Sequence, residues 1–332
     1  MSSASFEAPP DTGGRGLLRG VSAGEVASML RRHVVLVGLA GLFITLSIAS
    51  DVFLTQRNLL NILQQWAPVG IMTMGATVVL IGKGFDLSIG GIFTLSGITA
   101  VAVAAEVSVP LGILAGMGAG ALLGLLNGLL VTAVRINAFV ATLGTSIVFS
   151  GFAAGVTGGT IQTVRDQSYG FVSNELLGVR LSTWMMFAVF LALTLVLAKT
   201  TAGRYTFAVG ANEEAARLAG VRVNSIRTWG FVVSGLAAGI AAVITSSRSL
   251  TADAGGGDMV AWQVWTAMLI GGNSMLGGEG AMWRALAGVF LLALIGNGFD
   301  LLGVNPLYQQ VATGSILVLA VGLDALGRSK RH

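Results

Sequence analysis

Residues 110–134 read PLGILAGMGAGALLGLLNGLLVTAV. No charged side chain interrupts this stretch, and it exceeds the roughly 20 apolar residues that cross a bilayer as a helix. A helix that is apolar all round is either deeply buried or in lipid. The stretch also carries Gly112, Gly116, Gly120, Gly124 and Gly128, four residues apart. On a helix that spacing puts all five on one face. Each Gly costs about 0.8–1 kcal/mol of helix propensity relative to Ala. Close approach of a second helix offsets that cost in membranes. The stripe therefore predicts tight helix packing, and Gly235 and Gly239 form a shorter version further along.

The rest of the chain agrees with this segment. Hydrophobic residues make up 54% of the 332 residues and charged residues 10%, against about 25% charged in soluble domains. Mean hydropathy is +0.82. The expected fold is an all-α polytopic membrane protein of about ten transmembrane helices. The segments are 34–50, 66–82, 88–106, 110–134, 138–158, 182–199, 229–247, 261–275, 285–302 and 308–325. Residues 51–65, DVFLTQRNLLNILQQ, have Leu54, Leu59, Leu60 and Leu63 at helical spacing, which predicts a helix lying along the membrane surface. Residues 1–30 read as a disordered cytoplasmic tail, 31–327 as the membrane domain, and 328–332 as a basic cytoplasmic tail. "SIAS" at 47–50 is a poor cleavage pattern, so the first segment reads as a span and not a leader.

Lys and Arg set the orientation. With the N-terminus in the cytoplasm and alternating sides, only Arg57, Arg165, Arg180 and Arg248 of the 19 basic residues fall outside. Both termini are therefore expected in the cytoplasm. The basic balance reads as topology, and no nucleic-acid partner is expected; membrane lipid is.

Several chemistries are disfavoured. The chain has no cysteine, and its two histidines, His33 and His332, lie at the edges of polar segments. No metal site and no cofactor are expected. No G-x-x-x-x-G-K-[ST] pattern occurs, so the chain lacks that route to ATP hydrolysis. Asp86, Asp300 and Asp324 lie near segment ends, whereas ion-coupled carriers keep ionisable relays inside the membrane. A self-sufficient secondary carrier or channel for a small polar solute is the alternative reading, because backbone carbonyls can also bind ions.

Two polar, glycine-rich interruptions stand out: GKGFDLSIGG (82–91) and GGNSMLGGEG (271–280). Irregular backbone at membrane depth survives only when buried in protein or facing a water-filled cavity. Both read as tight turns at broken helix ends, and Asp86, Ser88 and Asn273 are the candidates for a translocation path or gate. A faint internal echo joins NGLLVTAVRINAFVATLG, from Asn127, to NGFDLLGVNPLYQQVATG, from Asn297. In the expected topology the copies lie on opposite sides, as in an inverted repeat.

The longest polar interval between two apolar segments is GRYTFAVGANEEAARLAG, 203–220. Asn212 is suited to cap a helix whose first turn holds Glu213 and Glu214. Glu213 and Arg217 are spaced to pair, and Gly220 supplies a left-handed stop. So short a helix is marginal alone. Its small apolar face (Ala211, Ala215, Leu218, Ala219) either rests on its own protein or seats in a shallow groove of a partner.

EAARLAG (214–220) resembles the EAA-x3-G core of the cytoplasmic loop of bacterial ABC import permeases; the distal Ile-x-Leu-Pro part is absent. GFDLSIGG, INAFVATLGT, GRYTFAVGANEEAARLAGV, IGGNSMLGGEG and NPLYQQVATGSILVLAVGLD resemble the ribose-type, simple-sugar branch of that family, in order, over most of 55–325. The resemblance implies a non-catalytic, multi-pass permease subunit of the bacterial inner membrane that imports a ribose-like or related monosaccharide. It implies three partners: a cytoplasmic ABC ATPase, a periplasmic or extracellular sugar-binding protein, and a second permease copy. It makes 203–220 the ATPase-coupling loop, with Gly203, Arg204, Gly210, Asn212, Glu213, Glu214, Ala215, Arg217, Leu218 and Gly220 as its residues.

Overall fold

The computed structural model describes residues 34–305, 307–315 and 318. The expected tails, 1–30 and 328–332, and the end of the tenth apolar segment lie outside the described residues. The chain is a polytopic helical membrane protein. Its helices are α1 Val34–Ala49, α2 Gln56–Ile81, α3 Ile89–Glu106, α4 Val109–Thr132, α5 Ala138–Thr157, α6 Leu181–Lys199, α7 Thr201–Ala211, α8 Glu213–Leu218, α9 Val223–Ser249, α10 Gly257–Ile270 and α11 Met282–Leu301. A further helix, α12, runs through 307–315. Six of these, α3, α4, α5, α6, α9 and α11, are long and apolar enough to cross a membrane.

Helices α2 and α9 form the centre. Every residue of α2 from Ala67 to Ile81 is buried, as expected of a helix surrounded by helices. One cluster packs α2 through Val69, Met72 and Leu80 against Ala238 and Ala241 of α9, and Trp265 and Met268 of α10. Another packs Ile71, Met74 and Val78 against Met186 of α6 and Ala285 of α11.

The glycine stripe of α4 faces two neighbours. A Cβ on Gly112 would lie 2.6 Å from Ala100 O of α3, and one on Gly116 would lie 2.7 Å from Ala100 Cβ. Further along, Gly120 and Gly124 meet Gly235, Gly239 and Phe231 of α9, and Gly128 meets Thr228. No side chain larger than hydrogen fits at these points without moving backbone. Gly118, off the stripe, has nothing within 4 Å of such a Cβ.

Residues 56–65 differ from the surface-helix expectation: they are the first turns of α2, continuous with the buried part. Asn58 explains the difference. Its Nδ2 donates to Phe53 O at 3.0 Å and to Asn297 Oδ1 at 3.0 Å, and Asn297 Nδ2 donates back at 2.8 Å. Ile62 packs with Leu46, Phe53 and Leu294. Leu59 of the amphipathic set joins this cluster between α1 and α11, whereas Leu54 stays exposed.

Each copy of the echo holds the same kind of turn, two residues out of the register that aligns Asn127 with Asn297. In the first, Arg135 is left-handed (φ 66°), and Asn137 Oδ1 accepts from Phe139 N at 2.9 Å as α5 starts. In the second, Gly303 is left-handed (φ 66°), and Asn305 Oδ1 accepts from Leu307 N at 2.9 Å as α12 starts. A second pair of turns corresponds. Lys83 (φ 62°) and Leu250 (φ 57°) end α2 and α9. Three residues later Asp86 accepts from Ser88 N at 3.0 Å and Asp253 accepts from Gly255 N at 2.8 Å. The helices that follow, α3 and α10, meet near their starts, where Gly90 and Gly257 abut.

On the face opposite α7 and α8, residues 158–180 form a clasp. Strand β1 (Gln162–Thr163) pairs antiparallel with β4 (Thr251–Ala252), and β2 (Glu175–Leu176) with β3 (Val179–Arg180). Tyr169 is buried, with its hydroxyl 2.7 Å from Ser246 Oγ. Burial raises the Tyr169 pKa, so the phenol stays protonated as a hydrogen-bonding group.

Candidate functional site

The stretch 203–220 forms two helices joined at Asn212. Helix α7 is capped by Thr200, whose Oγ1 accepts from Gly203 N at 3.2 Å. Gly203 lets α7 fold back against Leu197 at the end of α6, and Gly210 lies against Ile81 O and Gly278 N. Both glycines are sites of close approach. Arg204 is exposed.

Helix α8 has the expected caps. Asn212 Oδ1 accepts from Ala215 N at 3.0 Å. Glu213 and Glu214 occupy the first turn, where carboxylates oppose the positive end of the helix dipole. Gly220 is left-handed (φ 81°). Gly220 N donates to Arg217 O and Val221 N to Ala216 O, both at 3.0 Å, the double closure of a Schellman motif. Only Ala216 is buried, against Val209 and Val223. Ala211, Ala215 and Ala219 are exposed, and Leu218 is 83% exposed. The short helix therefore rests on its own protein through Ala216 and presents the rest of its apolar surface outward.

Contacts around and within this unit fix its position. Gly278 N donates to Ile81 O at 2.8 Å, tying the 271–281 loop to the end of α2. Arg217 Nη2 reaches Glu213 Oε1 at 2.9 Å. Arg227 of α9 lies between two partners: its Nη1 is 3.4 Å from Glu213 Oε2, and its Nη2 is 3.4 Å from Lys83 O.

The α2–α3 loop leads inward from Lys83. Asp86 is buried and accepts from Ser88 N, Ser88 Oγ and Ser234 Oγ, the last at 2.7 Å. Asn127 of α4 donates to Ser88 Oγ at 2.6 Å, Thr142 of α5 accepts from Leu87 N at 3.0 Å, and Trp265 of α10 donates to Asp86 O at 3.0 Å. Four helices thus hold one short loop. Asn273 is also buried: its Nδ2 donates to Met268 O and its Oδ1 accepts from Ala281 N, each at 3.0 Å. Asp86, Ser88 and Asn273 direct their polar atoms to protein partners. Arg227, Ser234 and Asn127 join the site only through the fold.

Residues 58–321 match the family described as "Branched-chain amino acid transport system / permease component". The chain belongs to this permease family. The permease is 35% identical over 295 residues to the ribose import permease protein RbsC of Escherichia coli K12, covering 87% of this chain and 92% of that one. It is 36% identical over 291 residues to the RbsC of Bacillus subtilis 168, covering 86% and 90%. It is 33% identical over 311 residues to the L-arabinose ABC transporter permease protein AraH of Azospirillum brasilense, covering 93% and 92%. With such relatives and six apolar helices, the permease is a multi-pass protein of the bacterial inner membrane and a transport subunit of the ABC class.

Proposed function

We propose that the permease forms the membrane path of an ATP-driven importer for a simple sugar, a ribose-like or related monosaccharide. Relatives named for ribose and L-arabinose import, aligned over most of their length, support the sugar class. A separate cytoplasmic ABC ATPase supplies the energy, and a soluble sugar-binding protein delivers the solute on the other face. The path forms with a second copy of the chain.

The observation that carries this reading is α8. A six-residue helix with both ends capped leaves Leu218 83% exposed beside exposed Ala215 and Ala219. Such a small, rigid apolar knob fits a shallow groove of a partner. Gly203, Arg204, Gly210, Asn212, Glu213, Glu214, Ala215, Arg217, Leu218 and Gly220 are then the docking unit. The Asp86–Ser88 loop and the Asn273 loop act as gate elements, since both are irregular segments with buried, hydrogen-bonded side chains: Asp86 is held by Ser234 of α9, and Asn273 closes its own loop from Met268 O to Ala281 N. Ten spans with both termini in the cytoplasm agree with the charge distribution. The paired turns at Arg135 and Gly303, and at Lys83 and Leu250, support an inverted repeat relating α2–α5 to α9–α12.

The test is reconstitution in proteoliposomes with the ATPase and binding protein. Uptake of ribose or arabinose that needs both partners and ATP is the expected result. Uptake by the permease alone, driven by an ion gradient, would replace this reading with a secondary carrier.

A further inference from the structure

Helix α9 grips the α2–α3 loop at two points. Arg227 Nη2 donates to Lys83 O at 3.4 Å, and Ser234 Oγ donates to Asp86 Oδ2 at 2.7 Å. Residues seven apart share one helix face. Gly230 lies between the two contacts and brings the α9 backbone close to Val79, which a Cβ at 230 would meet at 3.7 Å. The loop is thus held along one line, from its mouth at Lys83 to its buried end at Asp86.

The same guanidinium also points the other way. Arg227 Nη1 is 3.4 Å from Glu213 Oε2, and Glu213 opens α8. One planar cation therefore bridges the short helix and the loop. Three features suit it to that position. The left-handed turn at Lys83 (φ 62°) sends Lys83 N and Gly84 N back to Leu80 O and Val79 O. The end of α2 beside it carries partial negative charge, which favours a cation. Finally, the Arg227 side chain is only 22% exposed, so salt screens it less than a surface pair. An ammonium is a single point charge and cannot hold two partners through a rigid fork.

We propose that Arg227 is a positioning residue that ties the partner-docking helix α8 to the α2–α3 loop. A displacement of α8 is carried through Glu213, Arg227 and Lys83 to Asp86 and the start of α3. This rests on the reading of α8 as the ATPase-docking helix. Folding of α8 does not depend on the bridge, because Asn212, Ala216 and the Gly220 closure hold it independently.

The experiment uses the permease assembled with its ATPase and binding protein in proteoliposomes, and reads solute moved per ATP hydrolysed. In Arg227→Gln the ATPase should still co-purify and hydrolyse ATP. Solute moved per ATP should fall about tenfold, within the usual range of coupling between sites. Arg227→Lys should recover only part of the loss. A second arm keeps the test sharp if Arg227→Gln assembles poorly. The chain has no native cysteine, so Glu213→Cys with Arg227→Cys can be joined by a reducible bis-thiosulfonate linker. Solute moved per ATP should rise on linking and fall again on reduction, in the same protein. Wild-type transport per ATP in Arg227→Gln would overturn the proposal. So would ATPase binding, hydrolysis and uptake falling in proportion while linking has no effect, since Arg227 would then be structural only. If the wild-type permease itself fails to bind the ATPase, the docking role of α8 falls first, and the bridge falls with it.

Discussion

Gly120 of α4 and Gly235 of α9 face each other so closely that a Cβ on either would strike the other's carbonyl oxygen. The contact is reciprocal, so neither helix can yield by a side-chain rotation. Gly120→Ala should therefore lower the thermal unfolding midpoint in detergent, with an overpacking cost of about 1–3 kcal/mol. Gly118→Ala, with nothing within 4 Å of the new Cβ, should be neutral or should stabilise through helix propensity. Equal midpoints for the two variants would remove the close-packing account of the stripe.

Ala215 and Ala216 are adjacent but differ in environment: Ala215 is exposed and Ala216 is buried. Ala215→Asp should express and melt like wild type but lose ATPase co-purification and uptake together. Ala216→Asp should destabilise the permease itself, because it places an unpaired charge against Val209 and Val223. Normal uptake by Ala215→Asp would show that the outer face of α8 is not a contact surface.

Helix α6 separates Leu177 from Leu218, and both are exposed. In intact cells, Leu177→Cys should react with an impermeant thiol reagent, and Leu218→Cys should react only after lysis. The reverse pattern would invert the proposed topology.

Asp86 accepts from two serines on different elements. Asp86→Ala would leave those buried donors unmatched, at about 1–3 kcal/mol each. Ser234→Ala leaves one buried carboxylate oxygen, Asp86 Oδ2, without its serine donor, at about 1–3 kcal/mol for that single group. The midpoint should fall further for Asp86→Ala; the opposite order would mean that the loop is not held through its carboxylate.

The apolar helices were legible because lipid permits few alternatives: a long uncharged segment has to be a helix. The α8 caps were legible because Asn212 and Gly220 act within a few residues of themselves. What was hidden depends on distant partners. The course of 56–65 follows from Asn58, whose partner Asn297 is 239 residues away. Helix α7 was not legible because its glycines, Gly203 and Gly210, serve close packing against Leu197 and Ile81, which lie outside the stretch. Arg227 looked like one more positive-inside charge. Its partners, Glu213 and Lys83, are 14 and 144 residues away.

The central claim is that α8 seats in an ABC ATPase. The most direct measurement is thiol cross-linking from Leu218→Cys to single cysteines in the groove of the co-expressed ATPase, with and without ATP. The account predicts a cross-linked permease–ATPase band whose yield changes with nucleotide. No cross-link under any nucleotide condition, in a complex that still drives uptake, would contradict it.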